Sequence, residues 1–172
     1  MDEIKSLPPH YKFKFAGGNY NSYFFVTHKG IVYEVKFRES GYIFDNFPEV
    51  QEDTFEFLIE IIENPLGKVI PFDNLMRNTI AAILIDFFQN HQRVVVYVCD
   101  TSDARGVARF RKFNSWFETH PASRFFGKYN ITLMDIDGMV FHASAIMRID
   151  NPSAAQIITK FNELALRYQN PK

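Results

Sequence analysis

Alternating apolar and polar residues run through the first 40 positions and predict β-strands. Residues 11–15 alternate aromatic and basic side chains, and the glycines at 17 and 18 follow them as a turn. Residues 22–28 and 31–38 are rich in aromatic and β-branched side chains and are joined through Lys29 and Gly30, a pattern typical of an antiparallel hairpin. The chain is therefore predicted to begin with a three-stranded meander.

A fourth strand is predicted over residues 54–62, where Phe55 and Phe57 alternate with acidic side chains. Residues 41–53 contain Pro48 and several acids without a sustained period, so we expect a surface loop there.

From residue 72 to residue 90 the apolar period changes to that of a helix, with Asp73 or Asn74 as its cap. Residues 94–99 then form a continuous apolar run, which predicts a strand in the centre of the sheet, covered on both faces. A strand, a helix and a strand in succession form a βαβ unit, so the strands at 54–62 and 94–99 are predicted to be parallel neighbours.

A second helix is predicted after the polar residues 100–103. Its expected inner face consists of Val107, Phe110, Phe113, Asn114 and Phe117. Residues 131–136 and 139–149 flank Asp137 and Gly138, which predicts a hairpin closed by a two-residue type I′ turn. Asn151 and Pro152 begin the final helix. Its expected buried stripe is Ile157, Phe161, Leu164 and Tyr168.

The fold class predicted from this order is α+β. The order is four strands, a helix, a strand, a helix, two strands and a helix, which gives a mixed, mostly antiparallel sheet of about seven strands with three helices. Because we find no linker or repeat, we expect a single domain over residues 1–172.

Composition excludes several classes of protein. With 172 residues, 47% hydrophobic and 23% charged, the chain is close to globular averages, so it is neither disordered nor collagen-like. No apolar run reaches the length of about 18 to 20 residues that a membrane helix needs, and the first residues lack a secretory signal, so we expect a cytoplasmic protein without a membrane partner. Cys99 is the only cysteine, which excludes an internal disulfide.

Charge is separated along the chain although the net charge is only −1. Residues 39–63 contain eight acids and no Lys or Arg, whereas residues 105–128 contain six bases and one acid. This separation is typical either of an anion-binding side opposite a repelling side, or of two solvated faces that attract each other.

One face of the second helix combines bases with an aromatic side chain. Within about 60° around the helix axis lie Arg105, Arg109, Lys112 and Trp116. We call these four residues the basic stripe. Such a stripe can bind an anionic ligand while the indole stacks on a ring, although an ordinary solvated helix face has the same pattern. Duplex nucleic acid is not expected as the partner because the protein as a whole is acidic.

No other residue pattern indicates a specific chemistry. Asp100 and Asp103 follow the central strand, where open sheets bind ligands, but helix capping explains them equally well. We expect Cys99 to be a small buried hydrophobic residue. We expect His142 to be either a structural histidine or a general base on the sheet surface. The five histidines lack metal-ligand spacing, so we expect no metal, and catalytic residues are not identified.

Three segments resemble a bacterial family catalogued only as a domain of unknown function. They are residues 77–82, 94–100 and 109–117, and the resemblance extends over nearly the whole chain without implying an activity.

The order of the elements also resembles that of the GNAT-type N-acyltransferases. In that family, backbone amides at the start of the helix after the fourth strand bind the pyrophosphate of coenzyme A. The family pattern is Arg or Gln, two residues, Gly, one residue, then Gly or Ala. Arg77 and Ala82 fit this spacing, and Ile80 occupies the first glycine position. The resemblance implies acetyl-CoA as cofactor, bound through Arg77 and Ala82.

Two functions are therefore expected as alternatives. One is an acyl-CoA-dependent N-acyltransferase or a non-catalytic relative of it. The other is a binding module that engages an anionic small molecule or a protein partner through the basic stripe. The sequence does not decide whether the protein is an enzyme.

Overall fold

The computed structural model describes residues 6–45, 47–99 and 105–169. Its strands are β1 (Phe13–Gly17), β2 (Ser22–Val26), β3 (Val32–Glu39), β4 (Thr54–Glu63), β5 (Val94–Cys99), β6 (Phe126–Met134) and β7 (Val140–Arg148). Its α-helices are α1 (Pro48–Gln51), α2 (Asn74–Phe87), α3 (Gly106–Thr119) and α4 (Ala154–Gln169), with 3-10 turns at Gly41–Phe44 and Pro121–Phe125. No helix in these ranges is both long enough and apolar enough to cross a membrane.

The seven strands form one mixed sheet in the order β1-β2-β3-β4-β5-β7-β6. β4 pairs parallel to β5, with Thr54 opposite Val94 and Glu56 opposite Val96. β5 and β6 both pair antiparallel to β7, as β2 does with β1 and β3. The α+β class, the parallel β4–β5 pair and the interior position of β5 predicted from the sequence are confirmed.

The chain divides into two compact units. The first unit contains residues 1–38 and 57–89, and the second contains residues 39–56 and 90–172. The single domain expected over residues 1–172 stays a prediction.

Aromatic side chains from the meander and from α2 make the core of the first unit. The ring of Phe37 stacks on that of Phe87 with centroids 3.7 Å apart, and both rings are buried. Tyr11 donates a hydrogen bond to Asp73 at 2.6 Å, and Tyr23 donates one to Asp86 at 2.8 Å. Asp73 also caps α2, because its carboxylate accepts from the amide of Leu75, which confirms one of the two caps predicted.

The apolar core of the second unit lies on one side of β5, β7 and β6. Its buried residues are Phe44, Val50, Val94, Val96, Ile131, Ala143, Ala145, Met147, Ile157 and Phe161. α4 packs on this side of the strands. Asn151 fixes the start of α4, since its Oδ1 accepts from the amide of Ser153 and its Nδ2 donates to the carbonyl of Gln92.

The loop expected at residues 41–53 is instead a 3-10 turn followed by α1. Phe44 and Val50 are buried in the core there, and the side chain of Gln51 donates to the carbonyl of Phe44. Ile43 and Phe47 are apolar as well and pack against the same core, but over so short a stretch the spacing of these four residues does not establish a strand or a helix period.

The turn between β6 and β7 is also longer than expected. The amide of Gly138 donates to the carbonyl of Asp135, and the amide of Asp135 donates to the carbonyl of Met139. Only Gly138 of this connection has a positive φ, 78°, whereas a type I′ turn needs two such residues. The connection is therefore a type I turn closed by a glycine bulge.

Candidate functional site

Period-two alternation in β5, β6 and β7 places polar side chains together on the side opposite the apolar core. The pairing aligns Cys99 with His142 and His142 with Thr132, and the neighbouring row aligns Tyr97 with Ser144 and Ser144 with Asn130. We call this side of the second unit the polar face. It consists of Tyr97, Cys99, Lys128, Asn130, Thr132, His142 and Ser144.

Helix α3 packs over the polar face through side chains three and four positions apart. The ring of Phe110 stacks on His142 with centroids 4.7 Å apart, and the ring of Phe113 lies 4.4 Å from that of Tyr97. Asn114 follows on the same side and accepts a hydrogen bond from Lys128. Val107, predicted on this inner face, is instead 44% exposed.

Lys128 is the central charge of the polar face. Its ammonium donates hydrogen bonds to the Oδ1 atoms of Asn114 and Asn130, and lies 5.3 Å and 5.6 Å from the ring centroids of Phe110 and Phe113. Within the described residues no carboxylate forms an ion pair with it.

Burial lowers the pKa of Lys128 to about 8, against the raising effects of Glu118 and Cys99. The ammonium is therefore half-buried among neutral partners, and the folded protein destabilises its charged form.

The other polar groups of this face are hydrogen-bonded to one another. Ser144 donates to Asn130 at 2.8 Å, and the Thr132 hydroxyl lies 3.3 Å from Nδ1 of His142. Burial raises the pKa of the Cys99 thiol, whereas a hydrogen bond from Tyr97 and the positive charges of Arg109 and Lys128 lower it. Because burial dominates, Cys99 is a neutral thiol near pH 7 rather than an activated nucleophile.

The basic stripe consists of Arg105, which immediately precedes α3, and of three residues of that helix. Arg105, Arg109 and Lys112 are exposed, and the Lys112 ammonium sits 4.9 Å from the centroid of the Trp116 ring. Arg109 also acts electrostatically on Tyr97 and Cys99, so it belongs to the surroundings of the polar face as well. Asp100 and Asp103 lie outside the described residues.

The residues predicted to bind coenzyme A belong to α2 in the first unit. Arg77 is exposed one turn into the helix, whereas Ile80 and Ala82 are buried in the core. The first free amides of α2 are at its start near Asn74, where the Asp73 carboxylate already accepts from Leu75. A phosphate at this helix start would meet a negative charge. Coenzyme A binding by Arg77 and Ala82 stays a prediction.

Lys128 is the residue that sequence reasoning missed, because the sixth strand was expected to begin at residue 131 and instead begins at Phe126. Lys128, Asn130 and Thr132 alternate with Tyr129, Ile131 and Leu133, which is the signal that would have found it. Among the described residues, no three His, Cys, Asp or Glu side chains converge as a metal site would require.

A mixed sheet, apolar on one side and polar under a helix on the other, defines an α+β protein with a candidate ligand site in its second unit. Residues 72–163 match DUF6169, a family of unknown function, and the chain belongs to this family. The match covers somewhat more than half of the chain, rather than nearly all of it as expected, and it includes every residue of the polar face. No curated protein and no solved structure shows significant similarity to the chain.

Proposed function

We propose that the second unit is a binding module for a small anionic ligand, which binds at the polar face with Lys128 as its principal cation. The observation that supports this proposal is the half-buried ammonium of Lys128, whose hydrogen-bond partners are neutral amides and whose neighbours are aromatic rings. Charged groups that are buried in proteins are normally paired. A bound anion would supply the missing charge.

The surroundings of Lys128 favour an anion in two further ways. Arg109 adds a second positive charge near Cys99, and residues 105–128 have a net charge of +5 from six bases and one acid. The rings of Phe110 and Phe113 also reduce contact with water, which strengthens an electrostatic attraction. Among the acidic side chains of the described residues, Glu118 is the one whose charge acts on Lys128, and it makes no ion pair with it.

The ligand is a small carboxylate or phosphate rather than a polymer. α3 packs against the strands of the polar face, and we therefore expect only a compact group to fit beside Lys128. Because the whole chain has a net charge of −1, a long polyanion gains no general attraction to it.

The test measures binding of inorganic phosphate and of acetate by calorimetry at constant ionic strength. We expect wild-type protein to bind at least one of these anions, and Lys128→Met to bind it at least tenfold more weakly. Lys160→Met is the matched control, because Lys160 is a lysine of the same unit whose partner is Glu163. An Arg105→Glu, Arg109→Glu double variant measures the contribution of the basic stripe. Equal affinity of Lys128→Met and wild type would contradict the proposal.

An acyl-CoA-dependent N-acyltransferase is the second candidate. What supports it is the parallel pairing of β4 with β5 and the position of α2 between them in the chain, the order on which the GNAT resemblance rests. The burial of Ile80 and Ala82 and the acidic cap of α2 weigh against a coenzyme A site there. This candidate therefore ranks below the anion-binding module.

A further inference from the structure

A cavity of about 340 Å³ lies on the apolar side of the second unit, between α4 and the strands. Its apolar wall consists of Val96, Val98, Leu133, Ala143, Phe161 and Leu164. The four wall residues that belong to strands β5, β6 and β7 alternate along the chain with residues of the polar face. The cavity therefore lies on the opposite side of the same strands. A ligand in this cavity would be independent of one at the polar face.

Two opposite charges line the same cavity. Asp45 follows the 3-10 turn Gly41–Phe44, and Arg167 lies in the last turn of α4. Within residues 6–45, 47–99 and 105–169, neither side chain forms an ion pair with the other or with any third group. The hydroxyl-bearing side chain of Tyr42, 72% exposed, also contributes to the lining.

We propose that this cavity binds a free α-amino acid with a large apolar side chain. The carboxylate of the amino acid pairs with the guanidinium of Arg167, its ammonium pairs with Asp45, and its side chain occupies the apolar wall. Each charge of the zwitterion thus meets one unpaired charge of opposite sign, and the binding needs no further ion.

The size and the charges together select this class of ligand. Ligand pockets span about 300 to 1,000 Å³, so the cavity is at the small end and fits a compact molecule. An apolar monocarboxylate would satisfy Arg167 but would leave Asp45 beside a second negative charge, and an apolar amine would leave Arg167 beside a second positive charge. A molecule with both charges pairs with both of these exposed residues.

The experiment compares thermal unfolding of the full chain with and without 10 mM L-phenylalanine, L-leucine or L-methionine. Phenylpropanoate, phenethylamine and glycine serve as probes that each lack one of the three recognised groups. Because a ligand that binds only the folded state raises the melting temperature, we expect L-phenylalanine to raise it by roughly 3 to 6 °C and each of the three probes to raise it less.

Three variants and one control assign the response to the cavity. Val98→Phe places a larger side chain in the cavity, at a strand position that is 37% exposed. We expect L-phenylalanine no longer to raise the melting temperature of this variant, while its circular dichroism spectrum remains that of wild type. Arg167→Gln should lose the response as well, and Asp45→Asn should respond to L-phenylalanine no more than to phenylpropanoate. Arg111→Gln, at an exposed position of α3, is the control and should respond as wild type.

Three results would overturn the proposal. The first is that none of the three amino acids shifts the melting temperature of wild type. The second is that folded Val98→Phe responds as fully as wild type. The third is that phenylpropanoate stabilises wild type as strongly as L-phenylalanine, which would make the ligand an apolar acid instead.

Discussion

Two opposing effects act on the ammonium of Lys128, which is hydrogen-bonded in the fold but is disfavoured there as a charged group. Its ammonium is held by the amides of Asn114 and Asn130 and by two aromatic rings, yet burial lowers its pKa to about 8 from an ordinary value of 10.5. A cation that the fold itself destabilises is rarely retained for stability, and this is the physical reason to assign it a ligand.

The first prediction is that the destabilisation caused by the charge of Lys128 depends on pH. Between pH 8 and pH 10.5 the unfolded chain binds more protons at Lys128 than the folded chain does, so the contribution of Lys128 to the stability of wild type rises with pH in this window. At pH 7 wild type carries this unfavourable charge and Lys128→Met does not, so we expect the variant to be more stable. The expected difference is only on the order of 1 kcal/mol, because solvent screens the charge of a half-exposed group.

Urea unfolding of the two proteins at pH 7, 8.5 and 10 checks this prediction. The difference in free energy of unfolding should shrink as the pH rises and the ammonium of wild type loses its proton. A difference that stays constant with pH would show that the substitution acts through packing alone.

At the scale of elements, α3 contacts the sheet through Phe110, Phe113 and Asn114. Phe113 is 8% exposed and its ring lies 4.4 Å from that of Tyr97, whereas Val107, six residues earlier on the same helix, is 44% exposed. Phe113 is therefore the apolar side chain of α3 that is most deeply buried, and Val107 contributes less.

The second prediction contrasts these two positions. Phe113→Ala removes a buried ring and should lower the free energy of unfolding by about 3 kcal/mol or more, whereas Val107→Ala should change it by about 0.5 kcal/mol at most. Chemical denaturation of both variants measures the difference. Equal losses would place Val107 on the inner face, as the helical period alone predicted.

The elements that the sequence predicted well are those with a sustained period. The helical run up to Phe88, the apolar strand from Val94 to Cys99 and the cap at Asp73 all follow from local pattern, and so does the parallel pairing of the strands on either side of α2. These features need no knowledge of which residues meet in space.

The elements that it predicted poorly depend on tertiary contacts. Phe44 and Val50 are buried although their segment has no sustained period, and β6 begins five residues early because its pairing with β7 starts at Phe126, opposite Arg148. The polar face arises only when three strands align, so Lys128 carries no local signal apart from its alternation with apolar neighbours.

At the scale of the whole molecule, the question is whether the two compact units unfold together, as a single domain would. β4 contributes Thr54–Glu56 to the second unit and the rest of its length to the first. Because one continuous strand takes part in both units, local unfolding of one of them is expected to disrupt the other.

The third prediction is that the chain unfolds in one cooperative transition. Trp116 is the only tryptophan and belongs to the second unit, so its fluorescence follows that unit, whereas far-ultraviolet circular dichroism follows both. We expect the two probes to give the same midpoint in urea, which is the usual test of two-state unfolding. Separate midpoints would instead indicate two domains.

The fourth prediction concerns acetyl-CoA and the whole chain. If the acyltransferase candidate is correct, millimolar acetyl-CoA should raise the melting temperature, since binding to the folded state alone stabilises it. We expect no increase, because Ile80 is buried and Asp73 caps α2. An increase that Arg77→Ala abolishes, with Arg93→Ala as a control, would favour the acyltransferase over the anion-binding module.

The position of β6 at the end of the strand order has a consequence for association between chains. The terminal strand of a sheet offers backbone groups with which a strand of another molecule can pair, and natural proteins discourage such pairing with inward-pointing charges, lysine above all. Lys128 is a charge of this kind, on this strand. The ammonium that costs the monomer stability would therefore help to keep it from aggregating, and replacing it would yield a protein that is harder to unfold but easier to precipitate.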